Sequence, residues 1–386
     1  MKKYDFLVLG ADGLQGVIAT RYLLERGYSV FCADLYRTQI RKIMAKYGRG
    51  HSAFSFVDLR DIPQTARLMK KTGADTVVNC AEMDWNLNVY HAALEAKVHC
   101  VDLGAWIELT RRQLQKDRAF KKIGRTAITG CGAVPGIGSV MLRYISRKFD
   151  RLDSVDVGFS WTSNKKNFVV PFSIKSILEE LTYNPSFLKN GKRVNKKPLE
   201  VSLERNFRLI GRQKVYMVQH PELFTFHHYF KSKGLENIRF FAGFPTHSLQ
   251  KILTLIELGF HKEKPIALES IKIAPLFILP PVLKHLVSPP GYTESENLWI
   301  DIQGKKDNKK KKILMECLVP PVKGWESSGC NIDTGFPVAI MAEMIKKGVI
   351  KEAGSFAPEA IVPEASFFKE LRKNDLAVYE NGKVIN

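Results

Sequence analysis

The chain has 386 residues, of which 45% are hydrophobic, so it is long enough for more than one buried core. Its 59 Lys and Arg residues against 39 Asp and Glu residues give a formal net charge of +20, which could indicate nucleic acid, an anionic membrane or acidic ligands. The charge is spread thinly apart from residues 189–197 and 305–312, which we interpret as solvated loops, so no nucleic-acid partner is expected.

The chain begins with the pattern of a strand, a glycine turn and a helix. Residues 4–9 are an apolar run, GADGLQG follows at residues 10–16, and apolar residues then recur at helical spacing until Gly27. Residues 29–33 are expected to form a second strand that ends in Asp34. This order predicts a βαβ unit that holds the pyrophosphate of a dinucleotide at a helix N-terminus.

Each glycine of the turn has its own physical role. Gly10 allows a tight exit from the strand, Gly13 lets the backbone approach the pyrophosphate, and Gly16 lets the helix pack closely on the strand. The GxxGxxG spacing is one residue longer than the simplest fingerprint, and an empty, degenerate site is the alternative. The predicted cofactor contacts are Gly10, Asp12, Gly13, Leu14, Gln15, Gly16, Asp34, Asp58, Leu59, Cys80 and Ala81.

The residue after the second strand bears on the choice of cofactor. Asp34 lies where an acid accepts the ribose hydroxyls of NAD and would repel a 2′-phosphate. Arg37 and Arg41 follow it, and a nearby arginine can bind that phosphate, although both could instead be solvated at the start of a helix. We therefore predict NAD, with NADP as the alternative.

Strands and helices continue to alternate through the first third of the chain. Further strands are predicted at residues 51–58, 75–81, 99–103 and 125–129, and helices at residues 62–72, 86–96 and 108–123. This alternation predicts a doubly wound parallel sheet of the Rossmann type over residues 1–137, with ligands beyond the carboxyl ends of the strands.

From about residue 138 the pattern becomes mixed. The predicted elements are helices at residues 139–148 and 174–181 and strands at residues 152–160, 298–302 and 313–318. The last two strands flank the lysine-rich turn and are expected to pair antiparallel. We expect residues 138–335 to form a mixed α/β substrate and dimerisation domain, and the helix and tail of residues 336–386 to return to the first domain.

The six cysteines show neither a CxxC pair nor zinc-site spacing, so no metal ion is expected. Free, buried cysteines are typical of a reducing compartment, and residues 4–9 are interpreted as a strand rather than a signal peptide. Both observations favour the cytoplasm. The apolar run at residues 273–283 holds three prolines and is too short to span a membrane, so membrane contact there is not expected, although it is kept as an alternative.

Several motifs together resemble the saccharopine dehydrogenase family. They are the glycine turn, VDLG at 101–104, CGAVPG at 131–136, TGFP at 334–337, GVI at 348–350, APE at 357–359 and FFKEL at 367–371. The resemblance implies hydride transfer between a nicotinamide cofactor and the CH–NH group of a saccharopine- or lysine-type amino acid, through an imine, in a homodimer. The alternatives are a cofactor-binding sensor without turnover and a membrane-associated member of the family.

The resemblance also implies site residues. Asp102 would lie beside substrate and nicotinamide and Cys131 would contact substrate, whereas His220 is a candidate because histidine can move a proton near neutral pH. The alternatives are a loop cap for Asp102, an inert thiol for Cys131 and a structural side chain for His220. The remaining predicted substrate contacts are Gly104, Gly132, Pro135 and Gly136.

Arginines in the middle of the chain suggest a carboxylate-binding pocket. A guanidinium can hold a carboxylate as a bidentate fork, which would suit a substrate with two or three carboxyl groups better than free lysine. The candidates are Arg205, Arg208, Arg212 and Arg239.

Overall fold

The structure is a computed structural model that describes residues 3–104, 106–170, 172–283 and 286–386. The strands in chain order are β1 (Phe6–Leu9), β2 (Val30–Asp34), β3 (Ser52–Phe56), β4 (Thr76–Asn79), β5 (His99–Asp102), β6 (Thr126–Ile128), β7 (Arg151–Ser163), β8 (Ser186–Lys189), β9 (Lys192–Asn195), β10 (Ser202–Phe207), β11 (Gly211–Met217), β12 (Asn237–Gly243), β13 (Ile266–Leu268), β14 (Ile271–Ile273), β15 (Glu294–Lys306), β16 (Lys309–Val319), β17 (Gly354–Phe356), β18 (Ala377–Glu380) and β19 (Lys383–Val384).

The α-helices are placed between and around these strands. In chain order they are α1 (Leu14–Glu25), α2 (Ile40–Tyr47), α3 (Ile62–Thr72), α4 (Asn86–Ala96), α5 (Ile107–Leu114), α6 (Asp117–Lys122), α7 (Ile137–Ser146), α8 (Ile174–Thr182), α9 (Glu222–Phe230), α10 (Thr246–Glu257), α11 (Leu279–Leu283), α12 (Ile332–Lys346), α13 (Pro358–Ile361) and α14 (Glu364–Arg372).

The first sheet is parallel and has the order β17-β6-β5-β4-β1-β2-β3. Every residue of β1 and β4 is buried, as expected for strands that are covered by helices on both faces. The chain leaves β1 toward β2 on one side and returns through β4 on the other. This change of direction opens the crevice at the carboxyl ends of the strands where doubly wound sheets bind ligands. The predicted Rossmann architecture is confirmed.

The second sheet is mixed, with the order β10-β11-β12-β7-β15-β16-β18-β19, and off this path β8 pairs with β12 while β9 pairs with β8. β15 and β16 pair antiparallel from Glu296 and Val319 up to the pair Lys306 and Lys309. Asp307 and Asn308 take positive φ angles of 50° and 57° in the turn between them, which suits a two-residue hairpin. The predicted lysine-rich hairpin is therefore confirmed.

The C-terminal tail contributes to both sheets. β17 adds to the first sheet parallel to β6, and β18 pairs antiparallel with β16 in the second. Helix α12 packs on α1, where a Cβ on Gly335 would come within 2.4 Å of Ile18 Cγ2. The tail thus returns to the first domain, as predicted, and also ties that domain to the second sheet.

The predicted single helix over residues 108–123 is wrong, because the structure has two helices, α5 and α6, with a break between them. The added strand β17 explains the break. Ser355 Oγ donates to Gln113 O at 2.8 Å, and Ser355 N donates to Asp117 Oδ1 at 3.2 Å. In a continuous α-helix the carbonyl of Gln113 would accept from the backbone N–H four residues further on. Here Ser355 donates to that carbonyl instead, and it also binds the side chain of Asp117 at the start of α6.

The apolar run at residues 273–283 folds into a 3-10 turn and the short helix α11. Phe277 and Val282 in this segment are 54% and 57% exposed. Across the described parts of the chain, the structure contains no helix whose length and apolar character would let it cross a membrane.

Candidate active site

The glycine turn after β1 is shaped by close backbone contacts. Gly10 has a φ of +69°, and a Cβ there would lie 2.5 Å from Ala81 N and 2.7 Å from the carbonyl carbon of Cys80. A Cβ on Gly16 would lie 2.0 Å from Gly10 O, whereas one on Gly13 would lie at an ordinary 3.4 Å from the same oxygen. Gly10 and Gly16 are therefore needed for the turn itself, and Gly13 leaves space above it.

The N-terminus of α1 is open toward this space. Among the described residues, no side chain caps the helix, and its first turn holds no acidic residue. Leu14 at its first position is 60% exposed, and Gln15 Nε2 donates to Asn331 Oδ1 at 2.7 Å, which ties α1 to the segment before α12. Free backbone N–H groups at a helix N-terminus bind anions, so the turn fits the pyrophosphate of a dinucleotide.

The side chains of Asp12 and Asp34 stabilise the glycine turn through hydrogen bonds with backbone N–H groups. Asp12 N donates to Asp34 Oδ2 at 2.9 Å, and Tyr36 N donates to Asp34 Oδ1 at 3.1 Å. Asp12 Oδ1 accepts from the N–H groups of Gln39 and Ile40 at 2.6 and 2.8 Å and so caps the start of α2. The side chain of Asp12, predicted to contact the cofactor, is thus used within the fold. Burial raises the pKa of Asp34 against its hydrogen bonds from the backbone.

Two predicted contacts near the adenine end have different surroundings. Asp58 is held by Arg60 in a bidentate pair, and this arginine lowers the pKa of the carboxyl. Leu59 is 8% exposed and belongs to the hydrophobic core on that side of the sheet. The carboxylate of Asp58 is accessible from solvent, whereas a direct adenine contact of the Leu59 side chain is disfavoured by its burial.

Asp102 lies at the end of β5 and is fully buried. Its carboxylate accepts hydrogen bonds from Gly104 N at 2.7 Å, Gln113 Nε2 at 2.7 Å and Thr129 Oγ1 at 2.8 Å. Its carbonyl accepts from Cys131 N at 2.8 Å. Burial raises the pKa of Asp102 to about 6, although these donors oppose the rise. The geometry favours a residue that positions the ends of β5 and β6 over one that touches substrate.

The turn of residues 131–136 is equally tight. Gly136 has a φ of +133°, and a Cβ there would lie 1.8 Å from Gly132 O. The Cys131 side chain is fully buried, and its Sγ donates to Ile128 O at 3.4 Å. Burial raises the pKa of this thiol. The environment therefore supports the alternative of an inert thiol and argues against the predicted substrate contact of Cys131.

A small cavity lies where the carboxyl ends of β5 and β6 face α9. Its volume of about 10 Å³ leaves room for roughly one water molecule. Two predicted substrate residues, Gly104 and Pro135, contribute to its wall. The full lining is Gly104, Thr110, Thr129, Gly130, Pro135, Pro221, Thr225 and Ala357. The cavity thus joins the first sheet to the second domain at the predicted ligand edge.

His220 lies next to the cavity residue Pro221. Its ring stacks on Phe240, with the ring centroids 3.8 Å apart, and its Nδ1 contacts Glu222 Oε2 in a short hydrogen bond. Burial opposes a charge on the imidazole, but the carboxylates of Glu222 and Glu180 outweigh it and raise the pKa of His220. The raised pKa favours the protonated ring, and its partners Phe240 and Glu222 both belong to the second domain, so the catalytic role of His220 stays a prediction.

The four candidate arginines do not line this crevice, which corrects the predicted carboxylate pocket. Three of them lie in strands of the second sheet and Arg208 lies in the turn between β10 and β11, and each is paired with a carboxylate of that sheet. The ion pairs are Arg205 with Asp301, Arg208 with Glu316, Arg212 with Glu204 and Arg239 with Asp156.

Sequence reasoning missed a group of buried acids on α8 and α9. Glu179, Glu180 and Glu222 are 6%, 8% and 0% exposed. One signal was present: Glu180 follows Ile177 by three residues and so falls on the apolar side of α8. An acid on the buried side of an amphipathic helix is uncommon without a partner.

Comparisons with known proteins agree with this architecture. Residues 6–128 match the model for the saccharopine dehydrogenase NADP binding domain, and residues 122–376 match the model for the saccharopine dehydrogenase C-terminal domain. The structure superimposes on apo saccharopine dehydrogenase (L-Glu forming) from Saccharomyces cerevisiae with a TM-score of 0.76 at 15% identity, covering 99% of this chain and 100% of that one. This likeness shows a shared fold.

Two curated relatives extend the comparison. Carboxyaminopropylagmatine dehydrogenase from Synechocystis is 25% identical over 372 residues, which is 93% of either chain. Carboxynorspermidine synthase from Vibrio alginolyticus is 25% identical over 325 residues, which is 80% of this chain and 78% of that protein. Since the C-terminal-domain model alone spans more than half of the residues, this chain belongs to the saccharopine dehydrogenase family.

Proposed function

We propose that the protein is an NADP-dependent oxidoreductase that acts on the CH–NH group of a polyamine bearing a carboxyl group. The observation that carries the proposal is one crevice with two different walls. The strand ends of the first sheet, with Gly104 and Thr129, form one wall, and Pro221 and Thr225 at the start of α9 form the other. The names of both curated relatives denote carboxylated polyamines, and one match spans nearly the full length of both chains.

The chain supplies binding and orientation for this chemistry. A bound nicotinamide would accept or deliver the hydride at the carbon that carries the amine. The N-terminus of α1 would hold the pyrophosphate. Gly104 and Gly130 let the strand ends pack closely against Pro135 in the wall of the cavity. Pro221 and Thr225 close the crevice from the second domain and exclude water from it. His220, with Nδ1 fixed by Glu222, holds or releases a proton at Nε2.

The preference for NADP over NAD follows from the surroundings of Asp34. Both of its oxygens already accept backbone N–H groups, and Arg37 follows it, with its guanidinium 5.1 Å from the Phe54 ring centroid. We propose that Arg37 and Arg41 bind the 2′-phosphate. The family model that matches this part of the chain is described as NADP binding.

Replacing Arg37 and Arg41 together by Ala is expected to weaken NADPH binding at least about tenfold, because charged hydrogen bonds to the 2′-phosphate are lost. NADH binding should stay within about twofold, since NADH lacks that phosphate. Fluorescence titration of both cofactors measures this, with the exposed Arg67→Ala on α3 as the matched control. A wild type that binds NADH more tightly than NADPH would restore the prediction of NAD from Asp34.

The substrate proposal is tested by turnover with NADP⁺ and four amines: carboxynorspermidine, carboxyaminopropylagmatine, saccharopine and lysine. We expect kcat/KM for one of the two carboxylated polyamines to exceed that for saccharopine and lysine by at least about 100-fold, because a site built for polar groups rejects analogues that leave them unpaired. Reduced cofactor is followed by absorbance. A preference for saccharopine would refute the polyamine assignment, and cofactor binding without turnover of any of the four would favour a sensor.

A further inference from the structure

Three buried carboxylates on α8 and α9 each hold an oxygen without a partner. Glu179 Oε2, Glu180 Oε2 and Glu222 Oε1 are inaccessible to solvent and have no hydrogen-bond partner among the residues that the structure describes. All three side chains are more than nine-tenths buried. Burying an unsatisfied carboxylate oxygen is costly, so such atoms are normally paired in a folded protein. Three of them on neighbouring helices indicate a ligand that supplies donors.

The carboxylates influence one another and face few cations. The charge on Glu180 is opposed by Glu179 and Glu222 and favoured by His220. Lys175 Nζ lies 3.8 Å from Glu179 Oε1 but is closer, at 3.0 Å, to Asp84. Further acids extend this group toward the end of β4 and toward α10, namely Glu82, Asp84 and Glu263. Within a chain of net charge +20, the surroundings of these acids on α8 and α9 are thus locally acidic.

We propose that Glu179, Glu180 and Glu222 bind the alkylammonium end of the substrate, an inference that rests on the proposed function and names the residues that recognise its amine. An alkylammonium ion carries three N–H donors and one positive charge. It would give the unpartnered oxygens hydrogen bonds and would offset the repulsion between the carboxylates.

A bound metal ion or a purely structural role accounts for the three acids less well. A metal ion would need three or more ligands in suitable positions, and the described residues contain no such group of His, Cys, Asp and Glu side chains. Other buried acids, such as Asp333 and Glu359, also hold an oxygen without a partner in the described part of the chain. Glu180 differs from them in that two further acids with such an oxygen, Glu179 and Glu222, oppose its charge. The His220 contact uses one oxygen of Glu222 and leaves the other unpaired. An external alkylammonium ion would supply the hydrogen-bond donors and the positive charge that these carboxylates lack.

Isothermal titration calorimetry of the full chain with saturating NADP⁺ tests the site, using putrescine and 1,3-diaminopropane as probes. We expect both diamines to bind and 1,4-butanediol, which lacks the charge, to bind at least about tenfold more weakly. Glu180→Gln and Glu222→Gln should each weaken diamine binding at least about tenfold while keeping the shape of the side chain. Glu95→Gln, at an exposed position on α4, is the matched control and should change nothing.

A pH series adds a readout that loss of packing would not move. Burial raises the pKa of Glu180 to about 7, so this carboxyl gains its charge as the pH rises from 6 to 8. Diamine affinity should rise over that range in the wild type and rise less in Glu180→Gln. Glu179, Glu222 and His220 also face Glu180. Because the pKa values of Glu179 and His220 are raised as well, a smaller slope should remain in the variant.

The outcomes separate this inference from the proposed function. Absence of diamine binding to the wild type, or equal binding by both glutamine variants that melt at the wild-type temperature, overturns the site even if a carboxylated polyamine is turned over. Glutamate-dependent diamine binding without turnover supports the site and refutes the oxidoreductase assignment. Should one variant fail to fold, the other and Glu179→Gln decide the matter.

Discussion

Replacing Gly13 by Val is expected to abolish cofactor binding while the protein stays folded. The backbone of Gly13 is extended, with φ −75° and ψ 167°, which suits a β-branched residue. A Cβ there meets Gly10 O at an ordinary 3.4 Å, so the turn can accept it. The two methyl groups would instead fill the space that the pyrophosphate needs at the N-terminus of α1. Loss of two charge-assisted hydrogen bonds predicts at least about a 100-fold weaker NADPH affinity, measured by fluorescence titration.

The companion variant Gly16→Ala separates the fold from the ligand. Alanine normally stabilises a helix interior, but here its Cβ would lie 2.0 Å from Gly10 O. We expect a loss of stability of about 1–3 kcal/mol or more in denaturant unfolding. Gly13→Val should instead unfold like the wild type. Normal NADPH binding by Gly13→Val would show that the pyrophosphate does not lie at the turn of residues 10–16. Wild-type stability of Gly16→Ala would show that the turn tolerates a side chain at that position.

Asp102→Asn is expected to lower kcat/KM about 100-fold, because the ends of β5 and β6 lose the carboxylate that positions them. The amide nitrogen would face donors where an oxygen now accepts from Gly104 N, Gln113 Nε2 or Thr129 Oγ1. Gly104 and Thr129 line the cavity, so even a small shift reaches the reacting groups. A misplacement of about 1 Å is enough for a loss of this size.

The difference in stability between the wild type and Asp102→Asn should also depend on pH in a defined direction. The pKa of Asp102 is raised from 3.8 to about 6 in the fold, so between these values the folded chain keeps a proton that the unfolded chain has lost. The carboxyl of the wild type therefore contributes less stability as the pH rises through this window. Asparagine does not titrate. Denaturant unfolding should show the largest loss from the substitution near pH 4 and a smaller one near pH 7.

Thr129→Val is the control that tests how Asp102 acts. It removes one donor and keeps the charge, so a positioning role predicts a smaller fall in kcat/KM in the same direction, with cofactor affinity and melting temperature lowered as well. A direct contact with the substrate amine predicts instead that Asp102→Asn lowers kcat alone and that Thr129→Val has little effect. The second pattern would restore the interpretation drawn from the family resemblance.

Local sequence patterns were sufficient to predict an element wherever the residues that cause it are adjacent in the chain. The strand, glycine turn and helix at residues 4–24 are adjacent in the chain, and the conformations that Gly10 and Gly16 need are properties of the backbone there. The lysine-rich hairpin was equally local, since alternating apolar residues flank a short polar turn. The break between α5 and α6 was not visible, because it is caused by Ser355, more than two hundred residues away.

The sequence by itself determined the parallel nucleotide-binding sheet and its glycine turn, because hydrophobic period and glycine position act over short distances. It also predicted the return of the tail, and the ligand edge at the carboxyl ends of the strands stays a prediction. Only the tertiary structure decided which side chains remain available there. It engaged Asp12, Asp102 and the four arginines in hydrogen bonds and ion pairs and buried Cys131. Within the described residues, it gave one oxygen each of Glu179, Glu180 and Glu222 no partner. Pairing depends on which distant strands and helices meet, and no local pattern encodes that.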